Sequence, residues 1–527
     1  MTSTKVCHIG RNFYAYERES YWDPKLKRAR QRTVRYLGRC DARGNLIAPV
    51  LPRLDSVHSA FPVGALSVFY AAAEDLKIAQ HAQSTLVTDE RTAHLIVALV
   101  LNQLAGRQPV RRLPDWIRAS PLPQWAHFDA EAVGHEDLEK AQDALCRFNA
   151  FRAKEDRGLA LQEALTREWR RGSREPGAVY YDITKQPYYG NSCPYAGVGH
   201  DANGGLSSVV GFGLVVSRDH HHPVLCRALP GPQNDTLSVK EVVATLKGLG
   251  SAGLTMVVDR GMVSAENLKV VRKGGYHLLG IVRGEPKGTY AALGRWEEEA
   301  LERPENLVRR PSGGVLYTQS WTGSFLGQSL RLALVVDPDR KMEERKGRDL
   351  LLQELEGAPG KERLRELKKR LSRVIGKARG RRGFRVDARR LESERRRDGR
   401  MLMFSTDLSL TAEEMVRTYF ERDVVEKVFR TGKGPLSLGP LRYRQENRLD
   451  AYATTLYLAF LLWSWAERRL KEKFPRMSLE EALRILERVA WVRIGSGKSV
   501  LEFVTRLTDE QDEVLGALRA KRVLHVG

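Results

Sequence analysis

The sequence is poor in the features that mark secreted, zinc-bound or membrane-spanning proteins. Its five cysteines (Cys7, Cys40, Cys146, Cys193 and Cys226) are odd in number, scattered, and never spaced as CxxC. That pattern argues against a disulfide scaffold or a zinc module, and a reducing cytosol suits it. MTSTKVCHIGRNF contains no apolar run, so a signal peptide is not expected. The most apolar stretch, AYATTLYLAFLLWSWA (451–466), is shorter than the roughly 20 residues of a membrane span and is flanked by charged amphipathic sequence, so it reads as a buried core helix. RIGSGKSV (493–500) invites a phosphate-loop reading, but the glycine needed five residues before Gly497 is Val492. It reads as a turn, and no nucleotide cofactor is expected.

Acid is scarce as well. Against 87 Lys and Arg there are 65 Asp and Glu, leaving +22 and a pI near 9.8. Such an excess implies an anionic partner, nucleic acid before membrane. The hydrophobic content of 42% and mean hydropathy of -0.41 nevertheless describe a globular protein. A chain of 527 residues is expected to divide into two to four domains.

Six regions follow from the patterning. Residues 1–50 read as a β-hairpin (FYAYERESYWD, QRTVRYLGRC) about the basic turn DPKLKR, with seven bases from Lys25 to Arg39 that could grip phosphates. Residues 51–175 read as a helical DNA-binding region, clearest in ALSVFYAAAEDL, RTAHLIVALVLNQLA and AQDALCRFNAFRA. In 176–284 the strands AVYYDIT, SSVVGFGLVVS, LTMVVDRG and YHLLGIVR surround a helix, SVKEVVATLKGL, which predicts a mixed sheet with helical cover.

MLMFSTDL (401–408) resumes the strand character, so 285–400 is expected to be an inserted domain of β-strands and basic helices. Its window 341–400 holds 22 Lys plus Arg and 11 Asp plus Glu, half of the net charge of the chain. A solvated helical hairpin is the ordinary reading of such a run, but the bias in sign favours DNA contact. Region 401–470 returns to the core, and 471–527 is expected to be helical.

Three acids stand where a metal site would want them. Asp182 lies in one strand and Asp259 closes another, while Glu426 falls on a helix that begins YFERDVVEKVFRTGK (419–433). Tyr419, Arg422 and Glu426 are three and four residues apart and so share a helical face, opposite Phe420, Val424, Val425, Val428 and Phe429. Carboxylates from strand ends and an adjoining helix can converge on two divalent cations about 4 Å apart. Each acid alone is more ordinarily a turn or cap residue. Asp201, Asp235 and above all Asp407 are rival ligands, whereas His220, His221 and His222 read as a loop.

The spacing Tyr-x2-Arg-x3-Glu-x6-Lys from Tyr419 to Lys433, with YYDIT and VVDRGMVSAENL upstream, resembles the YREK-signature cut-and-paste transposases of bacterial insertion sequences. These insertion sequence four-like enzymes carry a DDE triad. AVYYDITK, GFGLVVSRDHHHPVLCRALPGPQNDT and DGRMLMFSTDLSLTAEEMVRTY look like the strands and lead-in of that family. ESYWDPKLKRARQRTVRYLGRCD resembles the hairpin of the branch named after insertion sequence sixteen thirty-four.

The resemblance implies an α/β, RNase H-like (retroviral-integrase-like) catalytic core holding two Mg²⁺ ions, with Mn²⁺ able to substitute, on Asp182, Asp259 and Glu426. It also implies that Tyr419, Arg422 and Lys433, with Arg260, bind the DNA of the element ends, and that Trp321 steadies a flipped base. The expected activity is cleavage of double-stranded element ends and strand transfer into target DNA through a hairpin intermediate, by a homodimer on DNA in the bacterial cytoplasm, associated with the nucleoid. A metal-dependent nuclease on the same fold, or an inactive DNA-binding descendant, is the alternative.

Overall fold

The computed structural model describes residues 2–10, 12–23, 28–47, 57–106, 108–146, 156–171, 177–190, 192–201, 205–219, 221–232, 235–248, 253–282, 289–310, 313–357, 360–377, 384–422, 441, 443–496 and 499–524. They fall into two compact units, 1–61 with 490–505, and 62–489 with 506–525.

The first unit contains the predicted basic hairpin, Asn12–Asp23 paired with Arg28–Cys40, and one further strand, Thr2–Ile9, on its open edge. A second sheet joins Val57–Pro62 to the hairpin Ala490–Ser496 and Ser499–Val504. This corrects the expectation of a wholly helical C-terminus. In LERVAWVRIGS the apolar residues fit a helical period as far as Leu486 and an alternating period after it, and the β-branched Val492 and Ile494 favour the strand. RIGSGKSV is thus mostly hairpin strand, with Gly497 and Lys498 outside the described residues.

The second unit is built on a sheet of ten strands among the described residues. In chain order they are β1 (Ala178–Pro187), β2 (Gly197–His200), β3 (Leu206–Ser217), β4 (Pro223–Pro230), β5 (Thr255–Val258), β6 (His277–Ile281), β7 (Leu307–Arg309), β8 (Val315–Phe325), β9 (Gln328–Val336) and β10 (Arg400–Ser405). They lie in the spatial order β7-β8-β9-β10-β6-β5-β1-β3, with β2 and β4 both on the far side of β3. Only β1, β5 and β6 run parallel to one another, and β10 is antiparallel to β6.

The helices Asp235–Gly248 and Ala265–Lys273 cover one face, burying Val239, Leu246, Leu268 and Val271 against Val179, Tyr181, Met256, Leu278 and Phe404. The central strands are apolar on both faces and read as continuous Val, Leu and Ile runs because both sides are buried.

The expected inserted domain is arranged differently from its sequence outline. Its strands β8 and β9 do not make a sheet of their own, since β9 pairs with β10 and carries the central sheet outward. What stands out from the sheet is the helical module 338–399, with helices Pro338–Glu356, Lys361–Arg370 and Ala388–Arg395 and a two-stranded ribbon. A small core of Leu352, Leu371, Val374 and Ile375 holds it together. Its two ends meet where the Asp337 amide donates to the Gly399 carbonyl at 2.9 Å. Gly399 has φ +68°, and a Cβ there would lie 2.5 Å from the Asp337 oxygen, so only glycine fits this junction.

The apolar stretch 451–466 is the buried heart of a long helix, Glu446–Lys473. No helix among the described residues is long and apolar enough to cross a membrane. The helical region after residue 63 packs around it, with Phe69 stacked on Trp463 and Thr166 bonded to Tyr457 at 3.1 Å. The helix Arg157–Arg171 also closes the open edge of β4. The Gln162 side-chain amide accepts from the Cys226 N–H at 2.8 Å and donates to the Cys226 carbonyl at 3.1 Å, in the manner of a neighbouring strand.

Gln162 is 2% exposed, so Gln162→Leu would leave both Cys226 backbone groups unpaired in a dry site. A loss of about 2–5 kcal/mol is expected, read as a lower midpoint in urea unfolding.

Candidate active site

Two of the three predicted acids are brought together by strand register. Tyr180 pairs with Val257 and Tyr181 with Val258 in the parallel β1–β5 ladder, which puts Asp182 level with Asp259 one step further on. Parallel neighbours lie about 4.8 Å apart, and residues on one rung point to the same face. Val179, Tyr181, Met256 and Val258 belong to the helix-covered core, so Asp182 and Asp259 point to the opposite side. Asp259 is fixed by the turn it starts, where its carbonyl accepts from Met262 N–H at 3.0 Å and Asn267 holds the Met262 carbonyl at 2.7 Å. Asp182 accepts from the Ile183 amide at 2.8 Å.

The cation that balances this pair is Arg422. Its Nη1 donates to Asp259 Oδ1 at 2.9 Å, with the arginine side chain 12% exposed and that of Asp259 48%. Burial alone would depress the guanidinium, but Tyr419, Asp259 and Asp182 outweigh it and hold it above the ordinary arginine range. The Tyr419 ring lies beneath, 5.2 Å from the guanidinium carbon.

The expected outer polar stripe is therefore not outside. Tyr419 is 6% exposed, and the helix that carries it, Ala412–Phe420, ends before Arg422. The aromatic face binds the cation from below while the carboxylates draw it from the sheet side, so both residues turn inward. Glu426 and Lys433 lie outside the described residues. Arg260 opens the short 3₁₀ turn Arg260–Met262 directly after Asp259.

A contact that the sequence did not suggest anchors the same helix. Glu421 accepts from Arg218 Nε at 2.5 Å and from the Tyr180 hydroxyl at 3.3 Å, tying the end of the helix to the strand of Asp182. Burial, then the nearby Glu421, pushes the Tyr180 phenol well above its usual range. The only signal in the sequence was a further carboxylate, Glu421, inside the Tyr419–Arg422 spacing, and nothing local linked it to Arg218.

The rival ligands separate from the pair. Asp407 follows β10, which runs opposite to β6, so it lies at the other edge of the sheet and accepts from Ser409 N–H at 2.9 Å as a turn residue. Asp201 accepts from the Gly205 amide at 3.0 Å in a loop. Asp235 begins the helix Asp235–Gly248. His222 is buried and stacked on Trp169 at 4.0 Å, a packing role rather than a metal site, and His220 lies outside the described residues. Trp321 sits on β8 against Trp296 at 5.1 Å with the Arg295 guanidinium 4.9 Å from its ring, beside a cavity of about 560 Å³ that runs along Thr322 to Gly327.

No group of three metal-ligating side chains occurs among the described residues. Asp182 and Asp259 do fit a divalent cation as far as two ligands can: both are oxygen donors, level on one face, and already drawn to a positive charge.

Two acids at the ends of neighbouring parallel strands thus stand beside the Arg422 guanidinium, and the comparisons with known proteins name the class of the chain. The family model described as the transposase DDE domain matches residues 183–462, a little over half of the chain. The chain belongs to that family. It is a DNA transposase, an enzyme that cleaves DNA and transfers strands, and enzymes of this family depend on a divalent metal. The matched span opens one residue after Asp182 and contains Asp259 and the whole 419–433 stretch.

The solved structure of piggyBac transposase in a synaptic complex with hairpin DNA is similar at a TM-score of 0.40 and 10% identity, covering 83% of this chain and 81% of that one. No curated protein matches the chain.

With Arg422 on Asp259, a metal and the guanidinium compete for one carboxylate. Arg422→Gln is expected to tighten Mn²⁺ binding by roughly tenfold in the absence of DNA, since a nearby positive charge costs on the order of 1–2 kcal/mol. Titration calorimetry checks this, and unchanged affinity would mean that the pair is not where the ion binds.

Proposed function

We propose that the chain is a cut-and-paste transposase of the YREK-signature, insertion sequence four-like group, in the branch of insertion sequence sixteen thirty-four, with an RNase H-like core. The observation that carries this reading is that Asp182 and Asp259 each stand one residue past the last rung of the β1–β5 ladder, with Arg422 set on Asp259. The order β4-β3-β1-β5-β6, with β3 antiparallel and β1, β5 and β6 parallel, is the order an RNase H-like core requires.

In this reading Asp182, Asp259 and Glu426 hold two Mg²⁺ ions, for which Mn²⁺ substitutes. The metal, when bound, supplies the Lewis acidity that activates a water or a 3′-hydroxyl and stabilises the leaving oxygen. The residues of the chain do the rest. Asp182 and Asp259 orient the site from the rigid sheet. Arg422, which stands on Asp259, would offer its guanidinium to a DNA phosphate, for which its planar fork is suited. Tyr419 supports that guanidinium from below, while Lys433 and Arg260 hold the strand. Trp321 steadies a flipped base in the hairpin intermediate. Double-stranded element ends are brought together by a homodimer in the bacterial cytoplasm, near the nucleoid, and the basic surfaces of the hairpin 12–40 and of the module 338–399 bear on DNA through their phosphates.

Cleavage of end DNA in Mg²⁺ by the parent and by Glu426→Gln tests the reading. Binding is expected to survive, and cutting and joining to fall by on the order of a thousandfold or more, as when a group acting mainly in the transition state is removed. Retained cutting removes Glu426 from the mechanism, and cutting without joining of paired ends makes the protein a nuclease.

A further inference from the structure

The helix Ala412–Phe420 is held at its end from two sides. Glu421 ties it to Arg218 and Tyr180, and a second tie comes from the outer strands through Arg310. Arg310 directly follows β7, in a tight turn where its amide donates to the Gly314 carbonyl at 3.1 Å and its carbonyl accepts from the Gly313 N–H at 3.2 Å. From that turn its guanidinium meets two groups at once. One nitrogen is paired with the Asp337 carboxylate, and the guanidinium carbon stands 5.0 Å from the centre of the Phe420 ring. Both charged side chains are shielded, that of Arg310 23% exposed and that of Asp337 11%.

From Phe420 a line of contacts reaches the acid pair. Its ring meets that of Tyr419 edge-on, with centroids 5.5 Å apart and planes at 86°. The Tyr419 ring lies 5.2 Å from the Arg422 guanidinium carbon, and Arg422 Nη1 donates to Asp259 Oδ1 at 2.9 Å. Successive side chains of a helix diverge, so contact between the Phe420 and Tyr419 rings depends on the rotamer of each. A cation resting on Phe420 selects that rotamer. Arg422 needs such a support, because it lies beyond the last residue of the helix and its long side chain has many rotamers, of which few reach Asp259.

We propose that Arg310 is a positioning residue for Arg422: through Phe420 and Tyr419 it keeps the Arg422 guanidinium on Asp259. The Glu421 tie fixes where the helix ends, and the Arg310 tie fixes how the rings after Thr418 lie. Asp337 gives the contact a longer reach. It caps the first helix of the module 338–399, accepting from the Arg340 amide at 3.3 Å, and its own amide bonds Gly399 where the module returns. One ion pair therefore joins the base of the module to the acid pair. The role matters for catalysis on the reading of Asp182 and Asp259 as the metal-binding pair, whereas the placement of Arg422 can be measured without metal or DNA.

Arginine-selective labelling with phenylglyoxal, read residue by residue by mass spectrometry on the full chain in metal-free buffer, measures how firmly Arg422 is held. Arg310→Gln is expected to speed labelling of Arg422 about fivefold, while Arg218, bound to Glu421 at the same helix end, keeps the parent rate. Asp337→Asn, which keeps a capping side chain and removes only its charge, should speed Arg422 to a similar degree. Arg310→Lys keeps a cation between Asp337 and Phe420 and should restore most of the protection. Phe420→Leu should act like Arg310→Gln, and the two together should add little to either alone.

Unchanged labelling of Arg422 in Arg310→Gln, a parallel rise at Arg218, which would mean only a frayed helix end, or full additivity with Phe420→Leu would each overturn the proposal. Titration with Mn²⁺ separates this role from the metal-site reading. With Arg422 loosened, Mn²⁺ should bind about threefold tighter to Arg310→Gln, and no tighter to Arg310→Gln combined with Arg422→Gln than to Arg422→Gln alone. Faster labelling with unchanged Mn²⁺ affinity keeps the role of Arg310 and removes Asp259 from the metal site.

Discussion

Two carboxylates set level where neighbouring parallel strands end are the constraint around which this part of the sheet is arranged. With parallel neighbours about 5 Å apart, Asp182 and Asp259 repel by a few kcal/mol at most; strand alternation sets the side Asp182 faces, and the turn that Asp259 starts holds the other. Such a pair is tolerable only beside positive charge. Arg422 supplies it, and the consequences spread outward from that contact. To reach Asp259 the guanidinium must pass over the Tyr419 ring. Glu421, one residue before it, is then aimed at Arg218 and Tyr180 on the other side. The helix Ala412–Phe420 is thus attached to the sheet by charge at its C-terminal end as well as by Met415 and Val416 in its middle.

Much of this was legible in the sequence, and for identifiable reasons. The strand that holds Asp182 and the strand that Asp259 follows are buried apolar runs, rich in β-branched and aromatic residues, with one acid in or directly after each, so both their type and their acids stood out. A mixed sheet with helical cover was expected from the helix among these strands, but the parallel pairing of β1 and β5 was not legible. The direction of Arg422 was not legible. A helical wheel places Tyr419 and Arg422 on one face, but whether that face meets solvent or carboxylates depends on the register of two strands over 160 residues away in sequence. The same limit applies to β8 and β9, whose patterning is that of any half-buried hairpin and does not say which sheet they join. At Val489 to Ser496 local sequence supports two periods, and pairing with Val57–Pro62, more than 400 residues earlier, decides for the strand.

The charge run at 341–400 shows how composition can mislead in degree without misleading in sign. Its excess is real, yet Arg348, Arg363 and Arg397 are held by acids inside or beside the module, and Lys341 is taken up by Glu298 and Glu302 of the preceding segment. Glu297, Glu298 and Glu302 therefore serve as an acidic counterpart to the helices. A charge count over a sequence window cannot see partners that lie outside it, and the surface left to face an anion is smaller than the count suggests.

The acid pair and the buried Arg400 share one edge of the sheet for a structural reason. In an open α/β sheet the C-terminal ends of parallel strands are where loops diverge and side chains converge on a crevice. Here the parallel run is only three strands wide, β1, β5 and β6, because β10 enters antiparallel from the module. The crevice is thereby bounded on one side by Asp182 and Asp259 and on the other by Arg400, the first residue of β10. Negative and positive groups are separated by one strand and cannot collapse onto each other, since Asp259 is engaged by Arg422 and Arg400 by backbone carbonyls. The sheet therefore holds opposite charges apart at a fixed spacing, each engaged by its own partner.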